Sequence, residues 1–179
     1  MSLFHRFRRN DGGASAVEFA LVVPFIAAFL FGGVQVTNYL EVHRQVSTAA
    51  SSAADLVAQV QQVSDSDLGD IFAAAAAILR PHDVSGLQVA VTSLTYVSDT
   101  QGKVLWSASR LAPSPHKAGD IVTVPSGILV AGTSVIMSEV VYTYKDPMGV
   151  INLAGLGGTY NVSDTYFDRP RRTLAVGKV

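Results

Sequence analysis

Residues 12–40 read GGASAVEFALVVPFIAAFLFGGVQVTNYL, and from 19 to 40 they hold no charged side chain. About 20 apolar residues suffice for a helix to cross a hydrocarbon core, so this run predicts one membrane span. Before it, Arg6, Arg8 and Arg9 outnumber Asp11. Such a basic excess is retained in the cytoplasm, which sends the remainder of the chain to the other side. A secretory signal peptide shares the basic-then-apolar order, but its apolar core is only about 7–15 residues long. Here the run is longer, no good small-x-small cleavage site follows it, and a helical pattern continues directly afterwards.

The rest of the composition narrows the function. The chain has 179 residues, 49% hydrophobic and 15% charged, with a mean hydropathy of +0.32, enough for one or two modest domains. The net charge of -1, from 13 Lys+Arg against 14 Asp+Glu, removes the electrostatic footprint of a nucleic-acid binder. The lack of cysteine excludes a disulfide scaffold, a thiolate nucleophile and Cys-ligated metal, while leaving the compartment open. His5, His43, His82 and His116 show no zinc-ligand spacing, and no Ser stands in a G-x-S-x-G elbow. Gly155-Leu156-Gly157-Gly158 lacks the frame of a dinucleotide loop and reads as a flexible loop; Asn161-Val162-Ser163 is only a formal sequon. No metal, no cofactor and no enzymatic activity are expected.

Glu18 stands at the edge of the apolar run with no basic residue beside it. A carboxylate drawn into a bilayer costs a few kcal/mol and calls for a partner; near a helix start it can equally be a solvated group favoured by the macrodipole. Pro24 removes one backbone donor and either bends the axis or is tolerated, as membrane helices allow. Ala28 with Gly32, and Gly33 with Thr37, form small-x-x-x-small pairs that permit close helix–helix contact. Beyond Glu41, Val42, Val46, Ala49, Ala53, Leu56, Val60 and Val63 recur in steps of four and three, a heptad seam. The helix is expected to run from Ala14 to about Val63, roughly 75 Å at ~1.5 Å per residue. The seam is read as the face that packs on this chain's own sheet, ahead of self-association.

The remainder reads as α+β. Ser64, Asp65, Ser66 and Asp67 offer N-caps for a short helix over 71–79, stopped by Pro81. Alternation over 87–96 and a second run from Lys103 predict a hairpin about residues 98–102. Pro113 and Pro115 exclude residues 111–117 from a central strand. Residues 121–124, 128–131 and 133–144 complete an expected antiparallel sheet of about four strands. Tyr142 and Tyr144 share a strand face and read as core tyrosines. Arg169, Arg171 and Arg172 either pair with a neighbouring subunit or serve solubility.

Several of these residues carry a resemblance. A leader ending in Gly13, the small Ala14, and Glu18 as fifth residue beyond that glycine resemble the prepilin-peptidase site of type IV pilins. The wording GASAVEFALVVPF is similar to the TadE/TadG-like pseudopilins of the tight-adherence (Flp, type IVb) pilus system. Tyr142 and Tyr144 leading to Pro147, and the closing Arg169-Pro170-Arg171, resemble the same family. The resemblance implies a 1–13 basic leader, a 14–63 transmembrane helix continuing as an amphipathic one, and a 64–179 exported domain. It implies cleavage by a prepilin peptidase between Gly13 and Ala14, since a cut after Gly12 would displace Glu18 from the fifth place. Glu18 would then register the helix against a neighbour's free amino terminus. The implied role is that of a non-enzymatic minor pseudopilin in the bacterial inner membrane, acting in pilus assembly and adhesion. Its implied partners are the membrane, the peptidase, other pilin or pseudopilin subunits and the assembly platform. The alternative is an uncleaved single-pass scaffold of a pilus or secretion machine.

Overall fold

The computed structural model of the chain describes residues 12–111, 116–145 and 158–179. Residues 1–11 with the basic leader, Pro113 and Pro115, Pro147, and the 155–157 glycine loop lie outside the described residues. The elements in chain order are α1 (Gly12–Ala58), β1 (Gln62–Val63), α2 (Asp65–Ile78), β2 (Leu87–Ser98), β3 (Gln101–Arg110), β4 (Ile121–Thr123), β5 (Ser134–Lys145), β6 (Thr159–Asp168) and β7 (Gly177–Lys178). Two compact units result: one holds described residues 12–39, and the other is Leu40–Lys145 with Thr159–Val179.

In the first unit α1 continues unbroken through Pro24, and its large apolar side chains, from Val17 through Phe25 and Phe29 to Val36, are exposed. An apolar surface of that kind is what a lipid phase covers.

The second unit is α+β. Its sheet is antiparallel, in the order β4-β3-β2-β5-β6, and β1 pairs with β7 in parallel. Leu87, Val89 and Val91 of β2 share a face with Val140 and Tyr142 of β5 and Val162 of β6. That face forms one core with Val42, Val46, Ala49, Ala50, Ala53, Ala54, Val57 and Ala58 of α1, and with Leu68, Ile71, Phe72 and Ala75 of α2. The helix stripe thus packs on the chain's own sheet, as its periodicity predicts, with one correction: Leu56 is 38% exposed and Val57 is buried instead. The buried stripe also takes in Ala50, Ala54 and Ala58 and is wider than a heptad seam; Leu56 lies at its margin, ~100° around the helix from Val57. The helix also ends at Ala58, and Val63 is buried from β1.

A smaller core lies on the opposite face: Leu94, Val104, Val135 and Met137 pack with Val124 and Leu129 from the β4–β5 connection. Gly102 suits this close packing, because a Cβ would stand 3.1 Å from the Leu94 Cβ and 3.2 Å from Leu129, so that its neighbours would have to give by a few tenths of an ångström. The expected strand at 128–131 is instead a loop. Leu129 is buried, Ile128 packs half-buried beside it, Val130 is exposed, and the carbonyls of Gly127 and Ile128 accept hydrogen bonds from Arg169 rather than from a strand. The sheet has five strands where about four were expected. The addition is β6, whose only fully buried side chain is Val162, so it lacks the apolar alternation that marks a strand.

Helix α2 begins with a capping box: Asp67 N–H donates to Ser64 Oγ at 3.2 Å, and Ser64 N–H to Asp67 Oδ2 at 2.9 Å. The cap lies where the Ser-Asp cluster predicts it, and the helix ends at Ile78, ahead of Pro81.

Candidate functional site

The residues singled out by the sequence all lie on α1. Gly13 and Ala14 take helical backbone in its first turn, and Gly13 is exposed with nothing near it. Two adjacent glycines are poor helix formers, each costing about 1 kcal/mol relative to alanine, so this turn unwinds easily. Glu18 follows five residues later, exposed, with no hydrogen bond or ion pair among the described residues. At ~1.5 Å per residue it stands roughly 7.5 Å along the axis from Gly13. Its neighbours Val17 and Phe19 are exposed apolar side chains. A carboxylate beside exposed apolar side chains, with no partner among the described residues, can accept a cation brought by another molecule.

Farther along α1, Gly32 and Gly33 have open space around them. The Thr37 hydroxyl donates to the Gly33 carbonyl at 3.0 Å, which satisfies that polar group within the helix. Ala28 and Gly32 lie one turn apart on one line, and Gly33 and Thr37 on the next, about 100° around.

In the second unit the polar groups serve the fold. The Arg171 backbone N–H donates to the Ala58 carbonyl at 2.9 Å, and its guanidinium pairs with Asp55 and, at 3.6 Å, with Asp168. The end of α1 thereby receives both a partner for an open carbonyl and a cation. Sequence reasoning left the role of Arg171 open between a neighbouring subunit and solubility; its carboxylate lies in this chain, 116 positions away. The last residues are held in the same manner. Trp106 Nε1 donates to the Val176 carbonyl at 2.8 Å, Ser134 Oγ to the Leu174 carbonyl at 2.8 Å, and Lys178 pairs with Asp65 at 2.8 Å.

Tyr142 and Tyr144 are buried, as their shared face predicts. The Tyr142 hydroxyl donates to the Asp83 carbonyl at 2.9 Å, and burial, followed by the nearby Asp83 charge and Tyr144, raises its pKa. The Asp67 and Asp83 carboxyls are held below the usual aspartate range, each first by a neighbouring serine hydroxyl, Ser64 or Ser85, and then by that serine's backbone N–H.

His116 Nε2 lies 2.9 Å from Glu139 Oε2, His82 meets the Tyr144 ring edge-on, and His43 is exposed. Among the described residues no group of three or more His, Cys, Asp or Glu is placed to hold a metal ion. A shallow groove of about 390 Å³ is lined by Ile128, Val135 and residues 165–169. Its ionic groups, Asp168 and Arg169, are already engaged within the fold.

What sets α1 apart is therefore its exposed apolar half, headed by a glycine pair and by a carboxylate that has no partner among the described residues. Residues 13–55 match the model of the TadE-like protein family. The TadE-like segment covers Gly13, Ala14, Glu18 and the small-residue pairs, and ends within α1 at Asp55, the partner of Arg171. Its helix contains the one stretch among the described residues long and apolar enough to cross a membrane. The sheet domain lies outside the matched residues, and no curated protein or solved structure matches the chain.

Proposed function

We propose that this TadE-like chain is a non-enzymatic minor pseudopilin of a Tad (Flp-type) pilus system. It is inserted by α1, with its amino terminus in the cytoplasm and the sheet domain on the extracytoplasmic side of the inner membrane. The observation that carries the reading is the coincidence of the TadE-like match with a helix that exposes Gly13, Glu18 and an apolar surface. A prepilin peptidase cleaves between Gly13 and Ala14, where the glycine pair lets the first turn open to an extended substrate form. Glu18 then takes the amino group of a neighbouring subunit's helix, and the lines through Ala28 and Gly32 and through Gly33 and Thr37 admit neighbouring helices. Other pilin or pseudopilin subunits and the assembly platform are the partners, and no cofactor takes part.

The test is the amino terminus and intact mass of the protein from native membranes, with and without the prepilin peptidase. A chain beginning at Ala14 only when the peptidase is present supports the reading. A chain that keeps its leader in both strains overturns it in favour of an uncleaved membrane scaffold.

A further inference from the structure

The helix-side face of the sheet is only partly covered. Helices α1 and α2 close over Val89 and Val91 of β2, Val140 and Tyr142 of β5, and Trp106 of β3. Beyond Ser93 the same face continues through the row Ser134–Thr95–Lys103–Ile121, which crosses β5, β2, β3 and β4. Lys103 and Ile121 are exposed. So are Val97, two residues past Thr95, and Leu105, the extra residue of the bulge opposite Ser93 and Leu94. Leu174, exposed as well, borders the row, because its carbonyl accepts from both the backbone N–H and the hydroxyl of Ser134. Four large apolar side chains thus flank one lysine that has no ion pair among the described residues. Adjacent strands lie ~4.8 Å apart, so the uncovered strip over β3 and β4 is about as wide as one helix. A contiguous apolar surface of this kind marks an interaction site. The undescribed residues 112–115 and 146–157 join the chain elsewhere: Lys145 and Thr159 pair at the other end of β5, and His116 meets Glu139 on the opposite face of the sheet.

The lone cation calls for a carboxylate among apolar groups. In this unit every described carboxylate but one already takes an ion pair or a hydrogen bond within the chain. The exception is Asp70, exposed on α2. Gly69, Ala73, Ala74 and Ala77 are exposed beside it, one or two turns along the helix. Leu68, Ile71, Phe72 and Ala75 are the buried side of α2, so the Asp70 side points away from the sheet. Nothing stands within 4 Å of the place a Gly69 Cβ would take. A smooth ridge with one carboxylate complements a strip of protruding side chains with one cation in both shape and charge.

We infer that this strip receives α2 of a second copy of the chain, with Lys103 pairing with Asp70 across the contact. Both surfaces point away from the sheet on its helix side, and α1 lies along that side. A half-turn about an axis parallel to α1 therefore sets one surface on the other while every α1 keeps the same direction, as a single membrane orientation requires. The two surfaces differ, so the contact is heterologous: each copy gives α2 to one neighbour and takes it from another. The contact goes beyond the pilus reading and does not depend on cleavage at Gly13 or on Glu18.

The test uses full-length protein in detergent micelles, as an equimolar mixture of isotopically light and heavy chains. A zero-length carbodiimide joins a lysine amine to a carboxylate only where the two meet, and is expected to yield a Lys103–Asp70 link of mixed isotope. Lys103→Glu and Asp70→Lys, both at exposed positions, should keep the circular dichroism spectrum and each raise the concentration of half-association by about tenfold or more, since each opposes like charges. Mixed together, the two variants should associate again, because every contact then joins opposite charges. A parent without the mixed-isotope link overturns the inference, as does a single variant that associates at the parental concentration or a mixture that stays monomeric. A parent that is monomeric in micelles also overturns it, and leaves the strip to a different protein.

Discussion

Replacing Trp106 with Phe isolates one contact that fastens residues 171–179 to the sheet domain. The indole N–H donates to the Val176 carbonyl at 2.8 Å, and both residues are buried. Phenylalanine keeps an aromatic ring but strands the carbonyl, and a buried polar group left without a partner costs about 1–3 kcal/mol. The smaller ring adds a cavity contribution on the order of 1 kcal/mol, so the loss should fall at about 2–4 kcal/mol. Because total stability is roughly 5–15 kcal/mol, this is a large share. By contrast, Arg171→Ala removes an exposed ion pair worth ~0–1 kcal/mol and leaves its backbone bond to Ala58 in place. Trp106 is the sole tryptophan, so local hydrogen exchange is the better assay than fluorescence. The amides of Gly177 and Val179, which donate to the Gln61 and Val63 carbonyls, should exchange at least ~30-fold faster in Trp106→Phe, since each 1.4 kcal/mol is about tenfold. Exchange at those amides within about threefold of the parent, a difference under ~0.7 kcal/mol, would refute the reasoning.

Glu18→Ala should leave processing at Gly13 largely intact and reduce the number of assembled pili; counting fibres by electron microscopy checks this, and normal piliation would remove the registering role. Ser64→Ala deletes the α2 cap and should cost about 1 kcal/mol in urea unfolding. Asp67 and Asp83 have folded-state pKa values below their unfolded ones, so their stabilising effect is present above about pH 4 and fades as pH falls through the lower folded values. An Asp67→Asn variant should show a shallower acid limb than the parent. Tyr142 has a raised folded-state value, so its contribution is full below about pH 10 and is lost as pH climbs past that through the folded value; Tyr142→Phe should flatten the alkaline limb. Ser138→Ala should raise stability by about 1 kcal/mol, because the Ser138 hydroxyl is buried without a hydrogen-bond partner.

What the sequence shows of this fold is governed by whether a signal is local. The span, the α1 stripe, the Ser64 cap and the β2–β3 hairpin rest on periodicity or on residues a few positions apart, and all are legible. Leu56 and Val57 exchange places because the buried face of α1 is wider than a heptad seam and is centred to one side of it. Strand β6 is hidden because its exposed positions are polar and only Val162 enters the core; its strand form is imposed by pairing with β5. The Arg171–Asp55 contact has no spacing signature, being set by where the fold brings the segment after β6 past the end of α1. Gly13 and Glu18 are legible as residues, and the first unit adds that both are exposed among the described residues. Their chemistry belongs to whatever meets them.

The parallel pairing of Gln62–Val63 with Gly177–Lys178 has a temporal side. A chain made from its amino terminus presents α1 before the sheet strands and β7 after them. Until residues 177–179 arrive, the carbonyls at Gln61 and Val63 lack the amides of Gly177 and Val179, and Asp65 lacks Lys178. Closing so long a loop is entropically slow. The β1–β7 ladder is therefore the last part of the described sheet domain to close, although it holds two of its earliest residues.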